Sequence, residues 1–296
     1  MSITAKDVAE LRARTGAGMM DCKKALEESS GNMDAAVDLL RKKGIAKAEK
    51  RADRAASEGQ IVIELSADGK TAAMIELNCE TDFVGRNDEF VALSKEIAQH
   101  VAQDAKVDGL VTVGAEGAYL STPWAFDAKL TIGEVVKAAS AKTGEKVELR
   151  RVARIGTTGV VGSYLHFNGK AGVIAEVTGG SGAEAVELGK HVAEHVAAGV
   201  PSVAVAVDQD GVDPAFIARE REIFVAQAVE SGKPQAIAEK MVEGRIAKLL
   251  GEITLLGQPW VRDDKQTIKD LVAATSKAAG APLAVKRFVR FKMGES

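Results

Sequence analysis

The chain has 296 residues, which is long enough for two or three domains. Of these residues 46% are hydrophobic and 27% charged, a composition ordinary for globular proteins. Its formal net charge of −3 disfavours nucleic acid as a partner. Two widely separated cysteines exclude a disulfide framework and suit a reducing, cytoplasmic compartment, and no apolar stretch is long enough to span a membrane.

Residues 1–55 are predicted to form three short helices and a charged linker. Thr4 followed by Asp7 is a capping box for the first helix, and a second helix follows. Asn32 is expected to cap a third helix that ends at Gly44. So small a helical unit has a marginal core, which favours a role in recognition.

Two later segments share one plan and predict two related α+β halves, each a short antiparallel sheet with helices on one face. Strand-like runs surround Asp68-Gly69, and Asn87 then caps an amphipathic helix. About 100 residues later the same hairpin pattern surrounds Asn168-Gly169 and leads into another helix. The fold class predicted is therefore α+β.

The segments that follow the two hairpins are interpreted as follows. "TPWAFDAKL" is expected to be a loop, and Thr131 with Glu134 caps a helix after it. A helix beginning at Pro214 and a second one are joined by a break at residues 231–234, which predicts an inserted antiparallel helical hairpin. One helix and one strand at the C-terminus are expected to complete the second sheet.

No pattern indicates bond-making chemistry, a cofactor or a metal site. Gly69-Lys70-Thr71 lies inside a hairpin and lacks the strand-loop-helix context of a phosphate-binding loop. His191 and His195 are one helical turn apart but have no apparent third ligand. Phe83 is unusual because it occupies a polar connection in a chain with 4% aromatic residues. The residues leave two hypotheses open: Phe83 closes the core, or it is exposed for a partner.

Two long motifs, "LRARTGAGMMDCKKAL" and "ETDFVGRNDEF", closely resemble the bacterial elongation factor Ts family, the guanine-nucleotide exchange factors of elongation factor Tu. The resemblance continues in "GKPQAIAEKMVEGR" and "LLGQPW" and covers nearly the whole chain. It implies a ubiquitin-associated-like domain at 1–55 and a first core half at 56–155. A second core half then comprises 156–207 and 251–296, and residues 208–250 form a coiled-coil hairpin that dimerises some members.

The resemblance also implies the residues that contact elongation factor Tu. In the family, one segment dislodges Mg²⁺ from the partner, and it corresponds here to Thr81, Asp82, Phe83 and Val84. Other contacts are implied for the following residues: Leu11, Met19, Met20, His166 and Val261. Of the two methionines, we expect one to be buried between the short helices and the other to be exposed.

The competing hypothesis is a non-catalytic interaction scaffold, in which a ubiquitin-associated-like domain and a coiled coil are joined by a core without any GTPase partner. The rate of GDP release from elongation factor Tu separates the two. The sequence leaves open whether the hairpin dimerises and which core half binds more strongly.

Overall fold

The computed structural model describes residues 3–49, 51–113, 117–230 and 235–295, and it confirms an α+β fold. The α-helices within these residues are α1 (Ala5–Thr15), α2 (Met19–Glu28), α3 (Met33–Glu49), α4 (Asp82–Gly85), α5 (Asp88–Gln103), α6 (Ile132–Thr143), α7 (Ala183–Ala198), α8 (Pro214–Glu230), α9 (Gln235–Ile253) and α10 (Ile268–Ala279). In these ranges no helix combines the length and apolar character that crossing a membrane requires.

The strands form two larger sheets and two small hairpins. They are β1 (Glu58–Leu65), β2 (Thr71–Cys79), β3 (Gly109–Thr112), β4 (Pro123–Trp124), β5 (Asp127–Thr131), β6 (Val147–Gly156), β7 (Val160–Leu165), β8 (Ala171–Thr178), β9 (Pro259–Trp260), β10 (Asp263–Thr267) and β11 (Ala284–Lys292). The sheet orders are β1-β2-β6-β3 and β11-β8-β7, which confirms that the C-terminal strand completes the second sheet.

The chain divides into two compact units. The first comprises Met1–Glu64, Ala73–Arg154 and Lys292–Ser296, and the second comprises Leu65–Ala72 and Ile155–Phe291. In the first unit α5 and α6 supply apolar side chains to a core shared with strands β2 and β6. The amphipathic pattern predicted for α5 is confirmed, because its apolar residues Phe90, Ile97 and Val101 are buried there.

The N-terminal helices follow the prediction except at Gly44. The capping box of Thr4 and Asp7 is present, and the side chain of Asn32 accepts from the backbone of α3. However, α3 continues through Gly44 to Glu49. A Cβ atom at Gly44 would lie 2.9 Å from the Cβ of Ala141 in α6. Glycine is used here for close helix packing rather than as a stop signal.

The predicted loop "TPWAFDAKL" is instead a small β-hairpin, formed by β4 and β5. Its fold is explained by Trp124, which is buried and stacks on His100 with 5.1 Å between ring centroids. The backbone N–H of Ala125 donates to His100 Nδ1 at 3.1 Å. Tertiary burial of one aromatic ring therefore orders a segment that looks irregular in sequence.

In the second unit, β7 and β8 form the predicted antiparallel hairpin, with Val160 opposite Val177 and Leu165 opposite Gly172. Helix α8 begins at Pro214 as predicted, and α8 packs against α9. An apolar cluster between the two helices contains Ile217, Phe224, Ala228, Ala238, Val242, Ile246 and Leu250. The predicted break at residues 231–234 lies outside the described residues.

Candidate functional site

Phe83 lies on α4, a single helical turn between β2 and α5. Strand β2 is buried almost throughout, so the chain leaves the core abruptly after Cys79. Thr81 caps the turn, and its Oγ1 accepts the N–H of Val84 at 3.4 Å. The side chain of Phe83 is 85% exposed. Of the two hypotheses for this ring, the buried one is therefore wrong.

The turn that carries Phe83 is anchored at both ends, although the side chain of Phe83 is exposed. At one end, the carboxylate of Glu145 accepts the Thr81 N–H at 3.0 Å and the Thr81 hydroxyl at 2.6 Å. At the other end, the half-buried side chain of Val84 packs on the core of the first unit. The ring is thus presented to solvent from a backbone whose position is fixed.

Asp82 carries the charge of the turn. Its carboxylate lies 3.2 Å from the guanidinium of Arg86, whose side chain is largely exposed, whereas that of Asp82 is about half exposed. An exposed pair of this kind contributes little to stability because water and salt screen it. Asp82 can therefore exchange Arg86 for another cationic or polar partner at small cost. The sequence did not single out Arg86 or Glu145.

The N-terminal residues of interest separate into core and surface. Leu11 is fully buried, so the expectation that it contacts a partner is corrected: its side chain belongs to the small helical core. Met19 is 44% exposed and Met20 is 64% exposed, so the expectation that one of them is buried is wrong. The inner face of α2 is taken by Cys22, Ala25 and Leu26, which leaves both methionines on the surface.

His166 and Val261 both lie in the second unit, on different turns. His166 follows β7, and its Nδ1 lies 3.2 Å from the Tyr164 hydroxyl. Its ring lies 4.4 Å, centroid to centroid, from that of Phe167, which is 92% exposed and was missed in the sequence. Val261 is 44% exposed, between β9 and β10.

The histidine pair on α7 has structural partners. His195 Nδ1 accepts the N–H of Val261 at 3.2 Å, and its Nε2 lies 2.9 Å from Gln258 Oε1. Burial lowers the pKa of His195, which favours the neutral ring that these contacts need. His191 packs on the ring of Trp260. Among the described residues no group of three or more His, Cys, Asp or Glu side chains could hold a metal ion.

Gly69 adopts a positive φ of 66° in the turn between β1 and β2. This is the conformation of a hairpin turn, which agrees with the turn interpretation of Gly69-Lys70-Thr71. The segment is followed by a strand rather than a helix, so it has no helix N-terminus to receive a phosphate.

Comparison with known proteins identifies the family. The family model described as "Elongation factor TS" matches residues 80–295. Proteins named elongation factor Ts are similar over the full chain: 47% identical in Nitratidesulfovibrio vulgaris, over 100% of this chain and 97% of the relative. The protein of Methylococcus capsulatus is 46% identical, over 100% of this chain and 93% of the relative. That of Clostridioides difficile is 45% identical, over 99% of this chain and 93% of the relative. The chain belongs to the elongation factor Ts family.

Proposed function

We propose that this protein promotes release of GDP from elongation factor Tu and its replacement by GTP, without making or breaking a covalent bond itself. The observation that carries the proposal is Phe83, an aromatic ring that is 85% exposed on an anchored turn in a member of the elongation factor Ts family. A large apolar side chain held in water by a fixed backbone is typical of a residue reserved for a partner.

The mechanism follows from linkage. A factor that binds the nucleotide-free GTPase more tightly than the loaded form must weaken nucleotide binding by the same factor. The nucleotide is held through its phosphates and through the Mg²⁺ that neutralises them. In the proposed complex, Phe83 enters an apolar slot near that ion, and Asp82 repositions polar groups around it. Thr81 and Val84 hold the turn as it does so.

One ring is too little to release a tightly held nucleotide. Burying a Phe contributes roughly 1.5–3 kcal/mol, which corresponds to about a ten- to hundredfold change in an equilibrium constant. Further binding energy must come from other surfaces. Those we propose are Met19 and Met20 at the start of α2, and His166 and Val261 on the turns of the second unit.

The proposed domain layout is that of the family. Residues 1–55 form a ubiquitin-associated-like domain, followed by two related core halves at 56–155 and at 156–207 with 251–296. A matched pair of buried carboxylates supports the relation: Glu76 lies 2.6 Å from Arg151 in the first unit. In the second, Glu176 lies 2.6 Å from Arg287, and both glutamates occupy the middle of a central strand.

Residues 208–250 form the proposed coiled-coil hairpin, and we propose that it supports a homodimer. Exposed apolar side chains on α8, among them Ile223, Val225 and Val229, support this proposal. Sedimentation equilibrium of the wild type and of Val229→Glu tests it. A monomeric wild type at about 100 micromolar would contradict the dimer without bearing on nucleotide exchange.

The exchange function is tested by mixing the protein with elongation factor Tu that carries a fluorescent GDP. The rate of fluorescence loss is expected to rise with factor concentration and to saturate. A dissociation rate that stays unchanged at micromolar factor would refute the proposal and favour the scaffold hypothesis.

A further inference from the structure

The backbone that carries Phe83 is held by a carboxylate from a remote part of the chain. Glu145 Oε2 accepts two consecutive backbone N–H groups, those of Glu80 at 3.1 Å and Thr81 at 3.0 Å. Its other oxygen accepts the Thr81 hydroxyl at 2.6 Å. One carboxylate therefore accepts three hydrogen bonds from the residues immediately before α4, and hydrogen bonds to a carboxylate are the stronger class.

The contact is reciprocal. While Glu145 binds the backbone before α4, the carboxylate of Glu80 accepts the N–H of Lys146 at 2.6 Å. This bond lowers the pKa of Glu80, so the carboxylate stays ionised at neutral pH. Cys79 adds a further bond, from its Sγ to the Thr81 carbonyl oxygen at 3.1 Å. We call residues 79–81 together with 145–146 the carboxylate clamp.

The Glu145 side of the clamp is itself fixed. Gly144 ends α6 in the left-handed conformation, with φ of 78°, and turns the chain so that Glu145 faces the strand end. The Ser140 hydroxyl donates to the Glu145 carbonyl oxygen at 2.5 Å, and the Glu145 N–H donates to Thr143 Oγ1 at 3.3 Å. The C-terminus of α6 therefore provides a rigid support for the carboxylate.

Apart from the clamp, few contacts orient helix α4. It is a single turn of four residues in which Phe83 contacts solvent, Val84 reaches the core, and a Cβ atom at Gly85 would lie 3.4 Å from Cys79 Sγ and from the backbone of Gly59. An isolated helical turn is unstable in water. Without the clamp the turn would sample many orientations, and Phe83 would have to be ordered at the moment of docking, which costs free energy.

We propose that Glu145 is a positioning residue that preorganises Phe83 for nucleotide release, acting through the backbone of Glu80 and Thr81 rather than by contact with the partner. The inference rests on the proposed exchange function for its kinetic consequence. Its structural consequence, loss of order in α4, is measurable without elongation factor Tu.

The first test uses the protein alone. In Glu145→Ala, the amide hydrogens of Gly85 and Arg86 are expected to exchange at least about tenfold faster. These amides donate to the carbonyls of Thr81 and Asp82 and do not touch Glu145, so their exchange reports opening of the turn. Asp270→Ala is the matched control.

The control removes an equivalent group from another place, because Asp270 accepts the N–H and hydroxyl of Thr267 at 2.9 and 2.7 Å. It is expected to leave exchange at Gly85 and Arg86 within twofold of wild type. Unchanged exchange of these amides in Glu145→Ala would overturn the inference whatever the activity of the protein.

The second test is kinetic. The maximal rate of GDP release is expected to fall about tenfold in Glu145→Ala, while the half-saturating factor concentration stays within about twofold. In a Phe83→Ala background the same change is expected to add less than about twofold, since a group that acts through Phe83 has nothing left to position. A full tenfold further loss in that background would overturn the inference.

Rates are normalised to the folded fraction from thermal unfolding. Glu145→Gln serves as a second variant should the alanine protein not fold. It keeps one oxygen for the two N–H groups but replaces every bond to a carboxylate by a weaker bond to a neutral amide, so both readouts are expected to change about threefold. Wild-type values for both in Glu145→Gln would refute the role. If the wild type fails to release GDP, the proposed function fails, and the amide exchange still decides the role of Glu145.

Discussion

Replacement of Phe83 by alanine separates a ring kept for a partner from a ring needed for folding. Because the side chain is 85% exposed, its removal from the free protein deletes few contacts. Surface substitutions without special backbone or hydrogen-bond roles change the free energy of unfolding by no more than about 0.5 kcal/mol. We therefore expect the melting temperature of Phe83→Ala to match that of the wild type.

In the proposed mechanism, the loss in activity is set by the burial that the ring gains as the metal is displaced. Removing nearly the whole exposed ring forfeits roughly 1.5–3 kcal/mol of transfer free energy. The maximal rate of GDP release should then fall about ten- to hundredfold. In the proposed mechanism the ring is buried only as the metal leaves, so the maximal rate and its ratio to the half-saturating concentration should fall together.

Stopped-flow release of fluorescent GDP from elongation factor Tu measures this loss, and Phe90→Ala is the control. Phe90 is the same residue type seven positions later, but it is buried in the core of the first unit. Its truncation should cost about 3–5 kcal/mol of stability and leave the rate per folded molecule nearly unchanged. A Phe83→Ala protein that melts as early as Phe90→Ala, or that releases GDP at the wild-type rate, would refute the reasoning.

Three further outcomes are expected. Met20→Glu should raise the half-saturating factor concentration about tenfold at an unchanged maximal rate, because Met20 is 64% exposed and is proposed to act in docking alone; kinetic titration checks this. In urea unfolding, Gly44→Ala should cost about 1–3 kcal/mol because its Cβ would overlap Ala141, whereas Gly244→Ala, on an open face of α9, should add roughly 0.5–1 kcal/mol. Burial lowers the folded-state pKa of His195. Only the unfolded chain therefore gains a proton as the pH falls below about 6.5, and stability should drop by up to about 1.4 kcal/mol per pH unit there. Urea titrations at several pH values should show a smaller slope in His195→Gln than in the wild type, since His100, whose pKa burial also lowers, still contributes in the variant. An equal slope in both proteins would contradict the prediction.

Local signals in the sequence predict the structure correctly where the groups that decide it are close together in the chain. The hydroxyl of Thr131 and the carboxylate of Glu134 form the capping box that their spacing predicts. Gly69 takes the positive φ that its place in a hairpin turn requires. Each of these features is decided by groups within four residues of one another, so no tertiary information is needed.

The sequence does not predict features that depend on packing against residues distant in the chain. Gly44 resembles a helix stop until α6 is placed beside it, where the missing side chain allows the two helices to approach. "TPWAFDAKL" resembles a loop until His100 is available to Trp124 and Ala125. In both segments a partner distant in sequence reverses the local preference.

The candidate site also combines a feature that the sequence indicates with one that depends on tertiary packing. The role proposed for the segment Thr81–Val84 comes from resemblance to a family, since a lone Phe in a polar connection is compatible with burial as well as with exposure. Its support could not be read from the sequence at all, because Glu145 lies 64 residues from Thr81 and follows an ordinary helix end. Only the sheet brings the two together.

The connections that follow the two hairpins differ in length, and the longer one carries Phe83. Eight residues, 80–87, join β2 to α5, whereas four residues, 179–182, join β8 to α7. The longer connection has room for the turn α4, and it needs additional hydrogen bonds to fix it because none of its residues is fully buried. The shorter one passes directly into α7 through Gly182, without a side-chain cap. The additional residues of the longer connection allow the side chain of Phe83 to project from the first unit. The carboxylate of Glu145 holds that connection in a single conformation. A change that shortened residues 80–87 would remove the ring together with the contact that Val84 makes with the core.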